Sequence, residues 1–231
     1  MSSFARNLMP MPPQSDPLGL LGGTFDPVHF GHLRLAEEAC DALGLAQVLW
    51  IPAGRPPHRK VPRADAADRL AMVRLGIAGN PHFALDDAEI GADIPSYTVL
   101  TLERLRALHG KRPLVLLLGS DAFLGLPSWH RWREVFGLAH IAVATRPGFD
   151  AAEGMSAALA EEFAPRLCDD PEELNNAPAG RIAPFAMTPL SISASLIRAR
   201  IAAGVSVRYL LPDPVREYID RQPLYRIPDG R

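Results

Sequence analysis

The run Leu114-Val115-Leu116-Leu117-Leu118 sets five large apolar side chains in succession and stops at Gly119-Ser120-Asp121. Successive residues of a strand point to opposite faces, so a strand with no polar position must be covered on both sides. The run is too short for a helix and ends on turn-forming residues, which selects a buried strand. Gln47 to Ile51 (QVLWI) and His140 to Ala144 (HIAVA) repeat the pattern, and Leu18 to Leu21 (LGLL) is a shorter version ending at Gly22-Gly23.

Helical segments fall between these strands. Leu33, Ala36, Cys40 and Leu43 recur at helical spacing before Gly44, a C-terminal stop. Asp65 to Ile77 reads as a helix with Leu70, Val73 and Ile77 on one face, and Val99 to Leu108 as another. Phe83 to Leu85 and Arg181 to Ala186 read as strands, Ser156 to Phe163 and Ser193 to Ala203 as helices. The last helix opens at Asp213-Pro214, with Asp as N-cap and proline at the first helical position, and runs to about Arg221. Pro56, Pro57 and Pro62 make Ala53 to Pro62 a loop. Strands alternating with helices predict an α/β domain whose mainly parallel sheet carries helices on both faces. Residues 18–231 are read as that single domain. Met1 to Pro17, with four prolines and no apolar periodicity, is read as a disordered leader.

Composition narrows the function. Net charge is −2 from 24 basic and 26 acidic residues, which gives no footprint for nucleic acid or a membrane surface. Lys60 and Lys111 are the only lysines, and the arginine richness, with that of alanine and proline, reads as codon bias. Cys40 and Cys168 form neither a C-x-x-C pair nor a disulfide framework, as expected of a cytoplasmic protein. No apolar stretch reaches the roughly 20 residues that span a bilayer.

In parallel sheets ligands bind beyond the carboxyl ends of the strands. After the first strand stands Gly22-Gly23-Thr24-Phe25-Asp26-Pro27-Val28-His29-Phe30-Gly31-His32. It is neither the G-x-G-x-x-G dinucleotide fingerprint nor a Walker loop. It nevertheless suits an anion: two glycines expose backbone, Thr24 adds a hydroxyl, and Gly31-His32 opens a helix whose first N–H groups face the ligand. His29 and His32, three apart, can hydrogen-bond oxygens that gain charge in nucleotidyl transfer. Histidines satisfying loop carbonyls are the plain alternative, and a zinc site lacks a third ligand nearby. Ser193 reads as the N-cap of its helix, with Ser195 and Arg198 on one face of the first turn, a receptor for phosphates or simply a capped helix.

The eleven residues GGTFDPVHFGH resemble the nucleotide-binding signature of the nucleotidylyltransferase superfamily, and most of all the bacterial nicotinate-nucleotide adenylyltransferases. The likeness continues from Leu20 to Arg226. It takes in Pro56-Pro57-His58-Arg59, Pro95-Ser96-Tyr97-Thr98, Gly119-Ser120-Asp121, Pro127-Ser128-Trp129, Thr145-Arg146-Pro147-Gly148 and Ile192-Ser193-Ala194-Ser195-Leu196-Ile197-Arg198. It implies a Rossmann-like, doubly wound sheet and transfer of the adenylyl group of ATP to nicotinate mononucleotide. Mg²⁺ is then expected on the ATP phosphates, with no protein metal ligand.

The same resemblance implies site roles. His29, His32 and Arg198 are catalytic. Gly22, Gly23, Thr24, Phe25, Asp121, Ser193 and Ser195 bind ATP. Tyr97 and Thr98 offer backbone N–H groups to the pyridine carboxylate, Trp129 stacks on the ring, and Arg146 contacts the mononucleotide. His58 and Arg59 stand as phosphate contacts, although many relatives carry Lys where this chain has Arg59 followed by Lys60. Partners are small molecules only, with a homo-oligomer left open. A sister transferase for nicotinamide mononucleotide, phosphopantetheine or a cytidylyl acceptor, an NAD(P)-dependent dehydrogenase and a non-catalytic nucleotide sensor are the competing readings.

Overall fold

The structure, a computed structural model, describes residues 16–57, 61–145, 154–168 and 170–226. Six strands form one parallel sheet: β1 (Leu18–Gly23), β2 (Gln47–Pro52), β3 (Phe83–Leu85), β4 (Leu114–Gly119), β5 (His140–Thr145) and β6 (Ile182–Ala186). Their order is β3-β2-β1-β4-β5-β6. Leu18 stands opposite both Gln47 and Leu114, so β1 is flanked on both edges. The chain winds outward from β1 to β3, returns to β4 beside β1, and winds outward the other way. The winding therefore reverses between β1 and β4, where a doubly wound sheet leaves its crevice.

Alternation along the central strands builds two cores. Val115 and Leu117 join Leu21, Val48 and Trp50 in one layer. Leu114, Leu116 and Leu118 join Leu20 and Ile51 in the other. Helices α1 (Phe30–Leu43), α2 (Ala66–Gly76), α7 (Ala194–Ala202) and α8 (Asp213–Arg221) cover the first layer through residues such as Ala36, Met72, Ile197 and Val215. Helices α3 (Thr98–His109), α5 (Val135–Leu138) and α6 (Ala157–Phe163) cover the second through Leu102, Phe136 and Leu159. A short α4 (Ser120–Leu124) runs directly out of β4.

Two boundaries differ from the sequence reading. Asp213 is not the cap of α8: Pro212 holds that place, and its carbonyl accepts from the N–H groups of Val215 and Arg216. Asp213 instead sits in the first turn, where its charge suits the helix dipole, and pairs with Arg216 at 3.0 Å. The fold also begins before Leu18. The Asp16 carbonyl accepts from Arg112 Nε at 2.7 Å, and the Pro17 carbonyl from the Ala46 N–H at 3.1 Å.

Candidate active site

A cavity of about 740 Å³ opens over the carboxyl ends of β1 and β4, at the winding reversal. That volume lies within the range of small-molecule sites. Gly22, Gly23 and Thr24 line one end of it, and Thr98, Asp121 and Trp129 also face it.

The two glycines serve different ends. A Cβ on Gly22 would meet nothing within 4 Å, so the backbone there is open. A Cβ on Gly23 would stand 2.9 Å from the Phe25 ring. Phe25 folds beneath the loop with φ 49° and is buried, its ring edge-on to His32 and tilted against Trp50. The Phe25 ring is therefore closed to a nucleotide and serves to support the loop from below.

His29, His32, Ser193, Ser195 and Arg198 do not line this cavity; they gather where the N-termini of α1 and α7 meet. A Cβ on Gly31 would lie 3.0 Å from the His29 ring and 3.5 Å from the Ile192 carbonyl, so glycine lets ring and helix close together. The His29 and His32 rings stack at 3.7 Å. His29 is the N-cap of α1, and its N–H donates to His32 Nδ1 at 3.3 Å. A neutral His32 accepting at Nδ1 carries its proton on Nε2.

His29 is buried, and that burial lowers its pKa from 6.5 to about 4. As pH falls below 6.5 the unfolded chain gains a proton that the native imidazole refuses until about pH 4. Acidification across that window should cost about 3 kcal/mol of stability through this one group. Thermal melts of the wild type and His29→Asn between pH 7.5 and 4.5 check this. The variant's deficit should shrink toward acid by that amount; a constant deficit would mean that His29 titrates like a free imidazole.

Asp26 was missed by the sequence reading, and it ties the site together. Its carboxylate is buried and accepts from the Arg63 N–H at 2.8 Å, the Ala64 N–H at 3.1 Å and the Tyr225 hydroxyl at 2.8 Å. Arg198 Nη1 donates to the Asp26 carbonyl at 2.6 Å and lies 3.7 Å from the carboxylate. Burial and the Asp26 charge both push the Tyr225 phenol up, so it stays a hydrogen-bond donor. Ser193 caps α7 by accepting from the Leu196 N–H at 3.2 Å, and its hydroxyl lies 3.0 Å from that of Ser195.

At the cavity Tyr97 is the N-cap of α3 and Thr98 its first residue. The Tyr97 N–H donates to the Pro95 carbonyl at 2.9 Å, so of the two expected backbone donors only Thr98 keeps the role of a helix-opening N–H. The Tyr97 ring lies 4.4 Å from that of His130, a cavity-lining residue without a role in the sequence reading. Trp129 is half-buried at the cavity edge, whereas Trp132 is buried in the core. His58, Arg59 and Arg146 lie outside the described residues. Among the described residues no three His, Cys, Asp or Glu side chains gather to hold a metal ion, and no helix is long and apolar enough to cross a membrane.

A doubly wound parallel sheet with a glycine loop and a cavity at its reversal defines a nucleotide-binding α/β protein. The cytidylyltransferase-like family model matches residues 20–200. A Dechloromonas aromatica protein named "Probable nicotinate-nucleotide adenylyltransferase" is 58% identical over 214 residues, covering 92% of this chain and 99% of that protein. Proteins of the same name from Acidithiobacillus ferrooxidans and Halorhodospira halophila are 47% and 49% identical, covering 92% and 91% of this chain and 97% and 96% of their own length. The Plasmodium falciparum nicotinic acid mononucleotide adenylyltransferase complexed with NaAD shares the fold at a TM-score of 0.70 and 16% identity, covering 91% of this chain and 97% of that one. The chain belongs to the cytidylyltransferase-like family and, within it, to the nicotinate-nucleotide adenylyltransferases.

Proposed function

We propose that this chain transfers the adenylyl group of ATP to nicotinate mononucleotide, giving nicotinate adenine dinucleotide and pyrophosphate, a step in making NAD. The observation that carries the reading is one continuous cavity joining the Gly22–Thr24 loop to Thr98 and Trp129, room for two substrates end to end. An oxygen of the mononucleotide phosphate forms the new bond to the α-phosphorus of ATP, and the bond to the pyrophosphate oxygen breaks. No side chain becomes covalently attached, so the protein contributes position and charge.

In this reading the Gly22–Phe25 backbone and the α1 N-terminus receive the ATP phosphates, and Mg²⁺ arrives on those phosphates as part of the substrate. His32 donates from Nε2 to an oxygen that gains charge, and Arg198 offsets charge on the departing pyrophosphate. His29 supports the His32 ring, Ser193 and Ser195 present the α7 N-terminus, and Asp121 accepts from a ribose hydroxyl. Trp129 stacks on the cationic pyridine ring, and Thr98 receives its carboxylate.

The test is pyrophosphate release with the full chain, Mg²⁺, ATP or CTP, and nicotinate mononucleotide, nicotinamide mononucleotide or phosphopantetheine as acceptor. ATP with nicotinate mononucleotide should be the productive pair. Release with phosphopantetheine or CTP alone would overturn the assignment.

A further inference from the structure

Arg69 on α2 is 1% exposed, an unusual place for a guanidinium. Its partners are three main-chain carbonyls: Thr24 at 2.8 Å, Ala53 at 2.6 Å and Gly54 at 3.1 Å. Its Nε is buried with no hydrogen-bond partner. Asp26, the carboxylate whose charge acts on it most, spends its oxygens on Arg63, Ala64 and Tyr225 and stands beside Arg198 as well. Two arginines thus share one buried carboxylate, and Asp65 is a further acid whose charge acts on Arg69 more weakly.

A buried charge bonded only to neutral groups is costly unless something compensates it. The three carbonyls say where compensation comes from. They belong to the loops that leave β1 and β2, and Thr24 and Ala53 line the cavity. In a trans peptide the C=O and the next N–H point opposite ways. Carbonyls of Thr24, Ala53 and Gly54 drawn toward Arg69 turn the N–H groups of Phe25, Gly54 and Arg55 away from it. The Arg55 N–H does meet a partner on that side, the Ser96 hydroxyl at 3.1 Å.

We propose that Arg69 is a positioning residue of the nucleotide site: it fixes the two strand-end loops from behind and supplies the buried positive charge that the ligand's phosphates balance. This rests on the reading of the Gly22–Thr24 loop as a phosphate site.

The test compares a charged ligand with its uncharged core. ATP with Mg²⁺ and adenosine are titrated into the wild-type full chain, Arg69→Gln and Arg69→Lys, with a thermal melt of each unliganded protein. Arg69→Gln should lose about 10- to 100-fold in affinity for ATP and less than about threefold for adenosine. Arg69→Lys keeps the charge and should hold the ATP-to-adenosine ratio within about threefold of wild type, even where its melting temperature falls through the lost carbonyl bonds. Equal losses for ATP and adenosine in Arg69→Gln would overturn the proposal and leave Arg69 as a fold residue. If Arg69→Gln does not fold, Arg69→Lys decides: a tenfold fall in that ratio sinks the claim. A wild-type chain that prefers adenosine to ATP would instead remove the phosphate-site reading itself.

Discussion

His32→Ala should lower kcat by about 10²–10³ and leave the protein folded. The expectation follows from how the ring is held. Stacking on His29 at 3.7 Å and the edge contact with Phe25 at 5.1 Å restrict it, and the His29 N–H fixes which nitrogen accepts. A donor whose direction is set before the substrate arrives stabilises transition-state charge without reorganising, and alanine deletes that donor. The structural loss is small, because His32 is half-buried and the hydrogen bond it accepts from the His29 N–H is long. Steady-state kinetics with varied ATP, beside a thermal melt, separates the outcomes. Unchanged kcat in a folded variant would withdraw the role, whereas a rise in KM alone would make His32 a ground-state contact.

Nicotinate mononucleotide should be preferred to its amide by on the order of 10² in kcat/KM. Thr98 opens the twelve-residue α3 inside the cavity, so its N–H and the helix dipole favour negative charge there. The acid offers a carboxylate that only accepts hydrogen bonds, and its charge strengthens each bond it takes. The amide loses that charge and can turn an NH₂ toward the helix-opening donor, leaving both unpaired at about 1–3 kcal/mol each. Trp129 gives no discrimination, since both substrates carry the same cationic ring. Because Tyr97 already donates to Pro95, the preference rests on the helix end rather than on two adjacent N–H groups. Side-by-side kinetics with the two mononucleotides measures it, and equal efficiency would exclude a donor-only site.

The sheet was legible because Leu114 to Leu118 states its own burial, and the helices because apolar residues recur at one spacing between turn residues. Short elements such as α4 and α5 escaped, being too brief to show a period. Asp26 and Arg69 escaped for a different reason. Asp26 meets Tyr225 across 199 positions and Arg69 reaches Thr24 across 45, and no local pattern reports pairing at such separations. Arg69 looked like one more charge on α2, and only its depth in the fold distinguishes it from Arg74, which is exposed on the same helix. The Tyr97 N–H was misjudged because a tight turn back to Pro95 leaves no mark beyond the proline itself.

The bond from Tyr225 to Asp26 gives the protein a timetable. The loop that follows β1 is synthesised well before the tyrosine that closes on its carboxylate. At about 5–20 residues per second, the 199 positions between them take roughly 10–40 s to translate. Throughout that interval the nascent chain holds a buried-to-be aspartate whose phenol donor has not yet been made. The contact can close only after Tyr225 has left the ribosome, so the loop reaches its finished form long after its own residues have been made.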